Sequence, residues 1–335
     1  MEIVQRPYEN AFLSWAKDNE KILVLTADLT NSCEAGVWAK TYPDRYFAMG
    51  LTEQNMLSIA AGLARKGFFP YLHTFAVFLY RRPYDQLAMS VAYPNLPVRL
   101  MGFLPGITTP GGVSHQAIED LAIMRAVPNM TIVSIGDATE AETCLDAIQA
   151  VNGPVYVRML RGEVPRIFPR NDPFVLNRAR FLSKGNDVTI ITEGVCTEEA
   201  MRATAVLRAR GLSLNHIHVS TIKPFTDPTI LQVINEAKFG VITMENHLAS
   251  GGLGGAVSEL MTDKGIGKKL IRLGLQDTYA HGASKPYLMK KYGLDATALI
   301  DAVEKLTGQQ FNISAEELAA IRIEIVNSNA KAEGL

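Results

Sequence analysis

The sequence predicts an α/β protein built as two tandem three-layer units, and three observations lead there. Short apolar runs without polar alternation, such as Ile22–Leu25, recur between helix-like segments, as parallel strands covered on both faces do. A proline-rich polar stretch from Val164 to Phe174 interrupts that pattern, which restarts at Asp187. The length, 335 residues, suits two domains of ordinary size.

Taken in order, Tyr8 to Asp18 reads as a helix and Ile22–Leu25 as a buried strand ending at Thr26–Asp28. Phe47–Met49 is a short strand. The helix after Glu53 has a predicted buried face at Met56, Ile59, Ala60 and Leu63, with small residues elsewhere. Phe69–Leu72 is a strand, Pro83 to Ala92 a helix, and Val98–Met101 and Thr131–Ser134 are strands. The boundaries follow as 1–165 for the first domain, 166–182 for a linker, 183–310 for the second domain and 311–335 for a C-terminal helix and frayed tail. In the second domain, strands at Asp187–Thr192, Leu214–Val219 and Gly240–Thr243 alternate with helices at Thr197–Ala209 and Pro228–Ala237. A last helix is expected from Ala315 to Val326.

Composition excludes several classes. With 33 basic and 34 acidic residues the net charge is −1, so bulk electrostatics point to neither nucleic acid nor a membrane, and anion recognition must come from local arginines. Apolar residues make up 47% of the chain, enough to fill two cores. Cys33, Cys144 and Cys196 have no metal-ligand spacing, and a sparse odd set suits a reducing compartment. The first residues lack the basic and apolar regions of a signal peptide, and no apolar run reaches a membrane span. A soluble, cytoplasmic protein is expected.

The chemistry concentrates in the first unit. Glu53 stands at the start of an apolar helix, where a carboxylate is favoured by the helix dipole. Phe75 and Phe78 lie three apart just after His73 and Thr74, and such spacing serves either a core stripe or an aromatic platform. His115 follows the Gly111–Gly112 turn, which lets backbone approach a ligand. Asp28 and Leu29 fall at the carboxyl end of a strand, where open α/β sheets present their ligand contacts.

One acid, an aromatic pair and a glycine-presented histidine in this order resemble the pyrimidine-binding domain of thiamine-diphosphate enzymes, most closely the C-terminal half of transketolase. The resemblance runs from about residue 6 to about residue 306. It includes Thr26–Leu29, His73–Phe75 to Phe78, Ser114–Gln116, Ala126–Met130, Gly153–Arg158, Lys223–Asp227 and Gly251–Gly254. It implies that Glu53 activates the cofactor, that Phe75, Phe78, Asp28 and Leu29 line its cleft, and that His115 contacts donor hydroxyls and the dihydroxyethyl intermediate. It implies further that Arg161 anchors the distal anion, with Ser32 and Arg6 beside it and His73 near the substrate. Arg81 and Arg82 are additional anion-binding candidates.

The chain departs from the family twice. Gly111 stands where the family carries an aspartate that reads an acceptor hydroxyl, which implies a non-standard substrate: an unusual sugar phosphate, a branched sugar, or another anionic sugar such as a sulfosugar. The Gly-Asp-Gly motif that holds Mg2+ and the diphosphate is absent, so the resemblance implies a split transketolase. A separate N-terminal subunit would bring metal and diphosphate, most simply in an α2β2 assembly. The beta subunit of a 2-oxo-acid dehydrogenase first component, deoxyxylulose-5-phosphate synthase and a non-catalytic regulatory paralogue share parts of the pattern.

Overall fold

The computed structural model describes residues 2–321. A seven-stranded sheet runs Thr221–Lys223, Thr131–Ser134, Val155–Met159, Arg99–Phe103, Phe69–Phe75, Ile22–Thr26 and Tyr46–Ala48 in spatial order. Every neighbouring pair is parallel except the first, in which Thr221–Lys223 lies antiparallel to Thr131–Ser134. Ile22–Thr26, Arg99–Phe103, Thr131–Ser134 and Val155–Met159 are buried along their whole length. Strands covered on both faces have no reason to alternate polar with apolar residues, and these do not.

The second sheet runs Leu270–Leu275, Gly240–Leu248, Val188–Thr192, Leu214–His218 and Arg180–Ser183, with only the last strand antiparallel to its neighbour. A two-stranded antiparallel ribbon joins Ile3–Gln5 to Glu163–Pro165. The chain is therefore α/β with two parallel-rich sheets, as its sequence predicts.

Several local expectations need correcting. The Glu53–Arg65 helix buries Met56, Leu57, Ala60, Ala61 and Ala64, so its inward stripe is rotated from the expected one, and Ile59 is exposed. The segment after Pro83 is not α-helical throughout, because Gln86–Ala92 is a π-helical stretch with wider turns. The expected linker supplies the start of the Arg180–Ser183 strand. The Lys223–Asp227 turn region contributes Thr221–Lys223 to the first sheet. The final helix is described over Ala315–Ala320, and the rest of its expected span lies outside the described residues.

The two sheets meet over a buried guanidinium. Arg158, on a central strand of the first sheet, donates to Asp120 at 2.8 and 3.1 Å and to Glu193 at 3.2 and 3.3 Å, and also to the Ala117 and Asn246 carbonyls. Asp120 belongs to the first half and Glu193 follows the Val188–Thr192 strand of the second. Two carboxylates in this interior are tolerable because one arginine fork pairs with both, while Tyr156 Oη also donates to Asp120 and Ser134 Oγ and Asn246 N also donate to Glu193.

Candidate active site

The carboxyl ends of the first sheet's strands converge on one edge, the place where parallel α/β sheets present ligand contacts. Phe75 ends the Phe69–Phe75 strand, Asp28 and Leu29 follow Ile22–Thr26, and Arg161 follows Val155–Met159. Glu53 opens its helix just beyond the Tyr46–Ala48 strand.

Glu53 is only 2% exposed. Its Oε1 accepts a 2.7 Å bond from Arg82 Nη1. The Arg82 guanidinium also lies 4.1 Å from the centre of the Phe78 ring, a cation–π contact worth roughly 0.5–2 kcal/mol. Phe78 stacks with Phe75 at 5.9 Å between centroids and 24° between planes. His115 meets both rings edge-on, at 5.5 Å from Phe78 and 6.1 Å from Phe75. Acid, aromatic pair and histidine, separated by up to 62 positions in the chain, form one contiguous cluster.

His115 Nδ1 pairs with Ser114 Oγ at 2.8 Å. Partial burial, and then the Arg82 cation, hold its imidazole below the ordinary histidine range. The ring is therefore neutral near pH 7, where it can accept a proton. The loop that carries it is tied down from the second sheet. Asn246 accepts from Ile107 N at 2.9 Å and donates to Pro105 O at 3.0 Å, Leu248 N donates to Ile118 O, and Gln116 Nε2 reaches Thr109 O and His281 O.

The aromatic pair continues into a basic corner. Arg161 lies 6.0 Å from the Phe75 ring centre and donates to Ser32 O at 2.9 Å, while Arg6 donates to the neighbouring Asn31 O at 3.1 Å. Arg161, Ser32 and Arg6 thus gather around one loop, with Arg6 also paired to Glu9 at 3.0 Å. Asp28 is exposed with a positive φ of 58°, and Leu29 is half-buried against the core.

Other candidates sit elsewhere than expected. His73 is fully buried, its Nε2 2.9 Å from Tyr8 Oη and its Nδ1 3.1 Å from the Cys33 carbonyl. Burial pushes its pKa down to about 3, so it is a neutral core histidine rather than a group open to substrate. Cys33 is itself buried, and burial raises its thiol well above the usual range. Arg81 and Arg82, read as anion binders, have glutamate partners instead: Glu119 for the first and Glu53 for the second. Nothing local in the chain marks these pairs. The only usable signal was an Arg-Arg dipeptide close behind the aromatic pair.

The donor set suits an electron-poor heteroaromatic ring: a buried carboxyl with one oxygen free of described hydrogen bonds, beside a stacked pair of phenylalanines. Thr74 Oγ1, next to Phe75, is buried without a partner among the described residues. The Arg82 head group has to leave the Phe78 face for such a ring to stack there. Among the described residues, no three His, Cys, Asp or Glu side chains gather as a metal site. Nor is any described helix long and apolar enough to cross a membrane.

Comparison with known proteins gives this arrangement a context. Residues 4–166 match the transketolase pyrimidine binding domain, and residues 177–299 match the transketolase C-terminal domain. A putative transketolase C-terminal section of Methanocaldococcus jannaschii is 36% identical, across 88% of this chain and 93% of that protein. A 6-deoxy-6-sulfo-D-fructose transketolase subunit, SqwH, of Clostridium sp. strain MSTE9 is 36% identical over 90% of this chain and 93% of its own length. A solved split-gene transketolase, described as an inactive β4 tetramer, aligns with a TM-score of 0.81 at 35% identity, covering 90% of this chain and 97% of that one.

Proposed function

The chain belongs to the transketolase family, and on that premise we propose that it is the C-terminal subunit of a split transketolase. It moves a two-carbon ketol unit from an anionic ketose to an aldose phosphate, in the cytoplasm. Residues 1–165 are its pyrimidine-binding half and 183–310 its C-terminal half, joined by 166–182. The observation that carries the proposal is the buried Glu53 carboxyl set against the Phe75–Phe78 pair, with His115 edge-on to both rings.

Glu53, Phe75, Phe78, Asp28 and Leu29 are the residues to hold thiamine diphosphate. When bound, that cofactor supplies the carbanion chemistry that cleaves and forms carbon–carbon bonds beside a carbonyl. Glu53 would hydrogen-bond the pyrimidine ring through its carboxyl, which is only 2% exposed. Stacking on the phenylalanines adds roughly 0.5–1.5 kcal/mol beyond area burial. His115, neutral and with Nε2 free of described hydrogen bonds, accepts protons from sugar hydroxyls. Arg161, with Ser32 and Arg6, takes the distal anion, for which a planar guanidinium is well matched.

The metal and diphosphate are assigned to an N-terminal partner subunit in an α2β2 assembly. Two features support a partner. One is the split-gene relative of matching length. The other is a set of exposed apolar residues on the elements around Glu53: Phe47, Leu51, Ile59, Tyr84 and Met89. The relative described as a sulfofructose transketolase subunit supports an anionic donor of unusual kind.

The test is a two-carbon-transfer assay of this chain with a candidate N-terminal subunit, thiamine diphosphate and Mg2+. Ketose phosphates and sulfosugars serve as donors and glyceraldehyde 3-phosphate as acceptor. Transfer that requires both chains is expected. Glu53→Gln should fold normally and lose about 10²–10⁴-fold in kcat. Wild-type turnover by that variant removes Glu53 from the mechanism.

A further inference from the structure

We propose that Arg81 is the positioning residue for His115, holding the imidazole over the aromatic pair by clamping the backbone on both sides of it. Its importance to the reaction rests on the proposed function; its hold on the loop does not.

The guanidinium makes four contacts. Nε donates to Glu119 Oε1 at 2.5 Å and Nη2 to Glu119 Oε2 at 2.8 Å, a bidentate pair that fixes the plane of the fork. Two of the three remaining hydrogens then point at carbonyls, Nη1 to Val113 O at 2.8 Å and Nη2 to Gln116 O at 3.1 Å. Val113 and Gln116 flank Ser114 and His115, so a single rigid group spans the segment that presents the imidazole. Ser114 and the Val113 side chain face solvent, and Ser114 Oγ bonds only within the loop, to His115 Nδ1 and Gly111 O.

The other anchors of this loop act at its ends. Asn246 holds Pro105 and Ile107, Leu248 holds Ile118, and the Gln116 side chain reaches Thr109 and His281. Among the described hydrogen bonds, only Arg81 and the short His115 N to Gly112 O turn contact hold the 113–115 backbone directly. Arg81 also follows the Phe75–Phe78 platform within a few residues, so platform and clamp belong to one short segment. A lysine could not replace it, because a point charge cannot reproduce a planar fork serving a carboxylate and two carbonyls together.

The experiment uses the full chain carrying ¹³Cε1-labelled histidine, with the His115 line identified by its loss in His115→Gln. In wild type that line should be displaced by the two phenylalanine rings and titrate below the ordinary histidine range. In Arg81→Gln it should move towards the position of a solvated histidine, with a midpoint rising towards 6.5. The lines of the buried His73, His216, His218 and His247 should stay in place, showing that the fold is kept. Glu119→Gln should shift His115 in the same direction by less, and Arg81→Lys should restore it only in part.

With the partner subunit present, Arg81→Gln should lose about 10- to 100-fold in kcat while its affinity for thiamine diphosphate stays within about twofold of wild type. An unchanged His115 line and midpoint in Arg81→Gln overturns the proposal. So does a shifted line with unaltered kcat, which would leave Arg81 a staple of the loop alone. Absence of transfer by the wild-type pair defeats the proposed function and the reaction role of Arg81 with it, while the histidine spectrum still reports separately on the clamp.

Discussion

Gly111 sits directly beneath His115, with no room for a side chain. A β-carbon built there lies 2.9 Å from His115 Cβ, closer than such atoms approach in folded proteins, and a tight 3.0 Å from His115 Cγ. Gly111 is thus the surface on which His115 rests. Gly111→Ala should push the imidazole off the Phe75–Phe78 pair and lower kcat by up to about 100-fold, since small misplacements of a reacting group cost on that order. A variant with wild-type kcat and an unmoved His115 line in a histidine-labelled spectrum would disprove the contact. At this scale the sequence was informative about identity and less so about partners. Glu53, Phe75, Phe78 and His115 stand out because few structural needs produce that order of residue types. Arg82 was unreadable, because its carboxylate lies 29 positions away and reaches it only through the packing of a helix against a loop. His73 misled because nothing local distinguishes a histidine at a strand's open end from one sealed between Tyr8 and a backbone carbonyl.

Among the elements, the Leu253–Asp263 helix shows how an N-terminus and a buried acid depend on each other. Glu245 accepts from Leu253 N at 2.7 Å and Gly254 N at 2.8 Å, satisfying amides that the helix cannot pair itself. Burial raises its pKa to about 8, with Glu193 adding to the rise and the two amides and Arg158 opposing it; His247 lies 3.7 Å away. The folded chain keeps this proton while the unfolded chain loses it above about 4.5, so its stabilising contribution disappears progressively as pH rises from 4.5 through 8. The slope from one such group is at most about 1.4 kcal/mol per pH unit. Glu245→Gln should therefore show a flatter dependence of urea-unfolding stability on pH between 5 and 8 than wild type. Parallel curves would mean that Glu245 does not titrate in this window. The strands were the most legible elements, because unbroken apolar runs reflect burial on both faces. The Glu53–Arg65 stripe was harder: Met56, Leu57, Ile59 and Ala60 offer two apolar faces, and only the sheet decides which turns inward. The π-helical stretch Gln86–Ala92 has no period of its own to read.

Across the whole molecule, Arg158 is the joint between the sheets. Replacing it with methionine removes the shared cation and leaves Asp120 and Glu193 buried without it, a change that typically costs about 3–5 kcal/mol. Chemical denaturation of Arg158→Met should show that loss, and a variant within 1 kcal/mol of wild type would mean that the remaining donors, Tyr156, Ser134 and the Asn246 amide, suffice for the carboxylates. The division into two α/β units could be read from the proline-rich break, but their interlocking could not, since Asp120, Arg158, Glu193 and Asn246 come from four distant segments. The strand Thr221–Lys223 carries this interlocking further, because a piece of the second half closes the Thr131–Ser134 edge of the first sheet. Separated from residues 221–223, the first half would present a bare row of amides and carbonyls to any passing strand, a template for aggregation. The two halves are therefore not interchangeable modules. A recombination event that exchanged one without the other would leave an open sheet edge, so this pair should pass through evolution as a single heritable piece.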